Sequence, residues 1–158
     1  MESTVAGWLD LSREALDDLY KSAQPGILPN GDTNGIAIAW AVPFTRKFAQ
    51  FTKFFWQGKV FDINADGETG ILRNKLLPFG IKLIVAKVYR DKSWLDGKDA
   101  IIIDYSSTSL LANKIRDEIR EVTPGYYLGK AWWGDKRIMD FALESTASSS
   151  PFFFSTNE

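Results

Sequence analysis

The stretch Leu110-Leu111-Ala112-Asn113-Lys114-Ile115-Arg116-Asp117-Glu118-Ile119-Arg120-Glu121-Val122 decides the fold, because it fits two periods at once. At helical spacing, Leu111, Ile115, Ile119 and Val122 make one apolar stripe, and Arg116, Asp117, Glu118, Arg120 and Glu121 make a solvated face. At a period of two, Arg116, Glu118, Arg120 and Val122 share one face and Asp117, Ile119 and Glu121 the other. Local propensity favours the helix. The surroundings favour the strand, since hairpin strands precede it and Thr123-Pro124-Gly125 leads straight into another. The reading adopted is a short helical turn near Ser109 to Asn113, then a strand over Arg116 to Val122.

Outward from this stretch, runs of strand-forming residues alternate with turn dipeptides. They are Trp56 to Asn64, Thr69 to Leu77, Ile81 to Arg90, Asp99 to Ser106, Tyr126 to Trp133 and Lys136 to Glu144. The connectors Asp66-Gly67, Pro78 to Gly80, Asp96-Gly97 and Gly134-Asp135 suit antiparallel hairpins. Gly35 to Ala41 alternates Ile36, Ile38 and Trp40 with three alanines, a further strand with one face open to close packing. With Arg116 to Val122 the candidate strands number eight. Eight strands joined by short antiparallel connections predict an all-β domain over residues 1–144, an up-and-down barrel whose interior holds side chains or one small ligand.

Ser12 to Ala23 adds a flanking N-terminal helix. Leu16, Leu19, Tyr20 and Ala23 form its stripe, Ser12 its N-cap, and Leu11 with Leu16 a hydrophobic staple. Gln24 to Gly35, with Pro25, Pro29 and two Asn-Gly pairs, reads as a loop. Phe44, Phe48, Phe51 and Phe55 after Pro43 read as a second short helix with a buried stripe. Residues 145–158 form a Ser-rich tail, flexible or docked through Phe152 to Phe154, and a homo-oligomer is one arrangement open to it.

Composition removes several kinds of chemistry. The 158 residues include no histidine and no cysteine, which excludes Cys/His zinc sites, Ser-His-Asp and Cys-His nucleophile pairs and an imidazole switch. Nineteen Lys plus Arg against twenty Asp plus Glu leave no field to draw a phosphate backbone, so no nucleic-acid partner is expected. No stretch nears the ~18 apolar residues of a membrane span, and the first nineteen residues lack the basic and apolar regions of a secretion signal. The expectation is a cytoplasmic protein that is not integral to a membrane. No cofactor is implied.

The string Trp56-Gln57-Gly58-Lys59-Val60-Phe61, the hairpins after it, the Thr-Pro-Gly turn, Tyr127-Leu128-Gly129 and Phe141-Ala142-Leu143 together resemble the lipocalin-like (calycin) barrels. Among these the similarity is to the small type with a Gly-x-Trp-x-Gly signature, with Phe54 in place of the first glycine. The resemblance covers about Trp56 to Glu144 and implies a barrel with an apolar interior and a small hydrophobic ligand; it implies no catalytic residues.

Asp104-Tyr105-Ser106-Ser107-Thr108-Ser109 ends an apolar strand with a carboxylate, a phenol and hydroxyls. Burial beside Ile101 and Ile103 would raise the Asp104 pKa unless a cation lies close, so Asp104 and Tyr105 are the catalytic candidates; the alternative is an Asp satisfied by turn N–H groups. Candidate ligand-binding residues are Trp56, Lys59, Asn74, Arg116, Tyr127 and Trp133. If Arg116, Glu118 and Arg120 lie on a strand they could point inward and grip a carboxylate or form a buried ion-pair ladder; the preferred reading leaves them facing water. Trp132 and Trp133 must point to opposite sides. Asp62-x-Asn64-x-Asp66-Gly67 matches half a calcium loop, but Arg73 stands where the closing Glu belongs, so it reads as a hairpin turn. The expected function is binding of a small hydrophobic molecule of fatty-acid, isoprenoid or polyketide type. The alternatives are a cofactor-free isomerase or cyclase using the same cavity, and a structural or assembly subunit.

Overall fold

A computed structural model describes residues 5–38, 59–74, 84–108 and 112–146. The Phe-stripe helix, Ala39 to Ala41, Trp56, the Pro78 to Gly80 connector, Ser109 to Leu111 and the Phe-rich tail lie outside these residues.

Eight antiparallel strands close into one barrel in chain order. They are β1 Gly31–Ile38, β2 Lys59–Ile63, β3 Gly70–Asn74, β4 Ile84–Lys92, β5 Asp99–Asp104, β6 Ile115–Thr123, β7 Tyr126–Trp133 and β8 Lys136–Ser145. β1 pairs with β8 as well as with β2, which closes the sheet and removes its edges. The ambiguous stretch is therefore a strand. Between β5 and β7 its backbone groups bond on both sides, from Ile101↔Ile119 to Asp104↔Arg116 and from Ile115↔Trp133 to Thr123↔Tyr126. A lone helix there would leave both neighbours with open edges.

Alternation sorts the residues. Phe61, Leu72, Ala86, Val88, Ile101, Ile103, Ile119, Tyr127, Ala131, Met139, Phe141 and Leu143 point inward and form one buried cluster. Gly129 also faces inward, directly across from Phe141, and an added Cβ would run into the Phe141 ring. The outer face of β6 to β8 is covered by two helices. The sequence reading anticipates α2, Arg13–Ser22, which Ser12 caps by accepting from the Ala15 N–H at 3.1 Å. It does not anticipate α1, Val5–Trp8. Trp8, Leu16 and Tyr20 pack on Ile38, Leu128 and Ala142 in a second cluster outside the barrel wall.

β1 begins at Gly31, four residues before the expected start, because Gly31 to Thr33 find partners in β2. Ala37 faces the core, whereas Ile36 and Ile38 point outward. The preceding loop plugs one end of the barrel. Leu28 enters the interior cluster, and the backbone on either side is tied by Tyr127 Oη donating to Ile27 O at 2.7 Å and Glu121 Oε2 accepting from Ile27 N at 3.2 Å. Arg90 donates to Gly26 O at 2.7 Å. Gly26 has φ +74° and is packed so tightly on Glu121 that it has no room for a side chain.

Candidate functional site

Away from the Leu28 plug, Lys59, Asp117 and Tyr105 enter the lumen. Lys59 opens β2, and Asp117 lies on β6, which β3, β4 and β5 separate from it, so the two residues face each other across the barrel. Nζ of Lys59 stands 3.6 Å from Asp117 Oδ2, and the two residues are 4% and 2% exposed. Tyr105, just beyond β5, turns inward beside them, its hydroxyl near enough to Asp117 to favour the ionised carboxylate. The ammonium of Lys59 also stands 5.2 Å from the centre of the Phe141 ring. The other carboxylate oxygen, Asp117 Oδ1, is buried with no hydrogen-bond partner.

Burial dominates the electrostatics of this pair. It pushes the Asp117 carboxyl up, against the pull of Lys59 and the hydrogen bonds from Lys59 and Tyr105. It pushes the Lys59 ammonium down, against the attraction of Asp117. Both shifts favour the uncharged forms, as expected for ions held in a low-dielectric wall of Ile, Leu and Phe. A buried carboxyl whose protonated form is favoured in this way is a candidate proton donor or acceptor toward a bound molecule.

The other expected site residues are distributed differently. Asp104 points outward, where its carboxylate accepts from Tyr89 Oη at 3.0 Å and from Ser106 N at 2.8 Å. Burial alone would raise its pKa, but those hydrogen bonds and Arg116 hold it below the usual carboxylate value, the outcome expected where a cation lies close. Asp104 is thus the turn-satisfied Asp of the alternative reading. Tyr105 faces inward as the acid-base candidacy requires, but it meets Asp117 rather than Asp104.

Arg116 is also corrected. It points away from the lumen, with Nη1 donating to Glu118 Oε2 at 2.8 Å, Nη2 donating to Lys92 O at 2.8 Å, and its guanidinium 4.2 Å from the centre of the Trp94 ring. The preferred solvated reading of Arg116, Glu118 and Arg120 fails as well, since all three are buried. They form an ion-pair ladder on the outer wall, under α2 and the β4–β5 turn. Arg120 makes a bidentate pair with Asp96 at 2.7 Å and donates to Tyr20 O at 3.1 Å. Lys130 lies between Asp17 of α2 and Asp140 of β8, at 2.8 and 3.2 Å. This cluster fastens the helix to the barrel.

Tyr127 lines the lumen at the plugged end, its hydroxyl committed to Ile27. Trp133 lies at the rim and is 41% exposed, and Trp132 points to the other side, 5.7 Å from Trp94 in an edge-to-face contact. The backbone of Asn74 pairs with Lys59. Asp62 to Asp66 form part of a hairpin turn in which Asp66 accepts from the N–H groups of Glu68 and Thr69. Among the described residues, no group of three or more Asp or Glu side chains could hold a metal ion.

Asp117 is the residue that sequence reasoning missed as a site. The signal was its place on the Ile119 face of the period-two alternation, since the face carrying the buried isoleucine is the one turned to the core. The fold and site define a small closed up-and-down barrel with a charged pair across its lumen. Compared with models of protein families, with curated proteins and with solved structures, the chain finds no match. Among the described residues no helix is long and apolar enough to cross a membrane.

Proposed function

We propose that this protein binds a small, mainly hydrophobic molecule inside the barrel, on the side of the lumen opposite the Leu28 plug. The observation that carries the reading is the Lys59–Asp117–Tyr105 cluster set in an apolar wall, with one carboxylate oxygen unpartnered. Burying an ion pair costs several kcal/mol per ion before the pair recovers any of it. Apolar residues of similar volume would fill and brace the barrel without that cost, whereas a binding site uses a few polar groups on an apolar surface to orient its guest. The packed residues from Leu28 to Phe61 and Leu143 make the floor. The resemblance to lipocalin-like barrels leads to the same reading, and the closed eight-stranded sheet supports it. A cytoplasmic setting fits a chain without cysteine.

The raised carboxyl of Asp117 favours a second reading, a cofactor-free isomerase or cyclase acting on such a molecule. Asp117 would take the proton-transfer role expected of Asp104, with Tyr105 and Lys59 positioned beside it. An assembly role draws no support from the charge ladder, which is spent on the chain's own helix.

Native mass spectrometry of the purified protein, before and after incubation with a panel of apolar compounds, tests binding. A mass increment of one compound per chain supports the reading, and a clean unliganded mass across the panel removes it. For the enzymatic reading, the captured compound is incubated with the protein in deuterated water and then extracted. Deuterium on its carbon skeleton with the wild type, but not with Asp117→Asn, marks proton transfer; no incorporation with either rules it out.

A further inference from the structure

We infer that the guest is a neutral molecule presenting an O–H donor to Asp117, an alcohol or enol and not a free fatty acid; this inference rests on the binding function proposed above. The charges in the lumen lead to that class. Lys59 already has its counter-ion at 3.6 Å, so the pair as a whole carries no net charge. A guest carboxylate would bring an anion beside Asp117 that, among the described lumen residues, Lys59 alone could offset, in a wall of low dielectric where an unpaired charge is costly. Glu121 also faces the lumen side and adds a further negative charge, which is committed to the Ile27 and Gly125 N–H groups of the plugged end. A guest amine meets the mirror-image problem at Lys59.

Hydrogen-bond supply points the same way. Tyr105 and Lys59 both direct donors at Asp117, and the Tyr127 hydroxyl is occupied by Ile27 O. What the cluster lacks is a donor for Asp117 Oδ1, on a side chain 3% exposed. An unmet carboxyl oxygen in such a place is costly, and a hydroxyl, which both donates and accepts, satisfies it whether or not the carboxyl holds its proton. A hydroxyl supplies one donor without adding charge. The apolar surface around it, Ile119, Phe141, Ala131 and Met139, suits a hydrocarbon skeleton.

The test compares dodecanol, dodecanoate and dodecylamine, equal in chain length, by displacement of an environment-sensitive apolar fluorophore from the full chain. Dodecanol is expected to bind about tenfold or more tighter than either charged compound, the worth of one hydrogen bond to a buried group. Asp117→Asn leaves Lys59 without its counter-ion, and the preference is expected to reverse toward dodecanoate. The double variant Lys59→Met with Asp117→Leu is expected to lose the preference. If Asp117→Asn does not fold, the wild-type comparison and the double variant still decide. Dodecanoate binding as tightly as dodecanol, or tighter, overturns the inference while leaving the binding function standing. Failure of all three to bind removes the binding function itself, and the inference with it.

Discussion

Lys59 and Asp117 come from opposite walls of the barrel and meet across its lumen, Nζ 3.6 Å from Oδ2. The pair therefore ties β2 to β6 through the interior, a link that backbone pairing does not provide. Removing one partner strands the other charge among Phe and Ile side chains. Lys59→Met or Asp117→Leu alone should cost about 3–5 kcal/mol, and the double variant should recover most of that loss. Urea unfolding of the four proteins measures this; additive losses in the double variant would show that the two residues are not coupled.

Gly129 is a packing residue. It lies directly across from Phe141, whose ring occupies the space a side chain would need. Gly129→Ala should destabilise the barrel by about 1–3 kcal/mol, the usual cost of overpacking a filled core. Combining it with Phe141→Leu should restore part of the loss. Thermal unfolding of both variants checks this, and an unchanged midpoint for Gly129→Ala would contradict the packing.

The helix clamp makes stability depend on pH in two opposed ways, both centred on Lys130. For Asp17, burial alone would raise the pKa, but hydrogen bonds from Arg137 and Lys130 outweigh it and hold the group below 3.8. Its contribution is present above the unfolded-state pKa and lost as pH falls through the lower folded value. Asp140 is raised above 3.8 by burial, despite Lys130. It favours the unfolded state above its folded pKa, and that penalty is relieved as pH falls from that value toward 3.8. Asp140→Asn should flatten the gain that appears as pH falls toward 3.8, and Asp17→Asn should flatten the loss below it. Melting curves from pH 7 to pH 3 would show this, and superimposable pH profiles for the three proteins would refute it.

Asp104 should be dispensable for binding. Its carboxylate caps a turn outside the wall, so Asp104→Asn is expected to leave guest affinity unchanged, while Tyr105→Phe, which removes a donor to Asp117, should alter it. Equal effects of the two substitutions, measured by the same fluorophore displacement, would count against the inward assignment.

Some of this was legible in the chain. Tyr126 to Trp133 is bounded by Gly125 and Gly134, and the strand occupies that span from end to end. Ser12 declared the helix start by its capping hydroxyl. Strand pairing was less visible. Gly31 to Gly35 looks like turn sequence in isolation and becomes strand because β2 and β8 offer partners, a tertiary effect that outweighs local propensity. The direction of each face was hidden for the same reason. Arg116, Glu118 and Arg120 read as solvated because nothing local shows that α2 and the β4–β5 turn cover them. Asp117 was obscured by the charges on either side of it, and only the closed barrel turns it toward Lys59.

The most direct measurement uses the methyl group of Met139, since the chain has one other methionine, Met1. Met139 lies in the interior cluster and is among its more accessible members. In a methyl-labelled NMR titration with dodecanol, a guest in the lumen shifts the Met139 resonance saturably and in step with the fluorophore displacement. Displacement with the Met139 signal unmoved would place the compound outside the barrel and contradict the account.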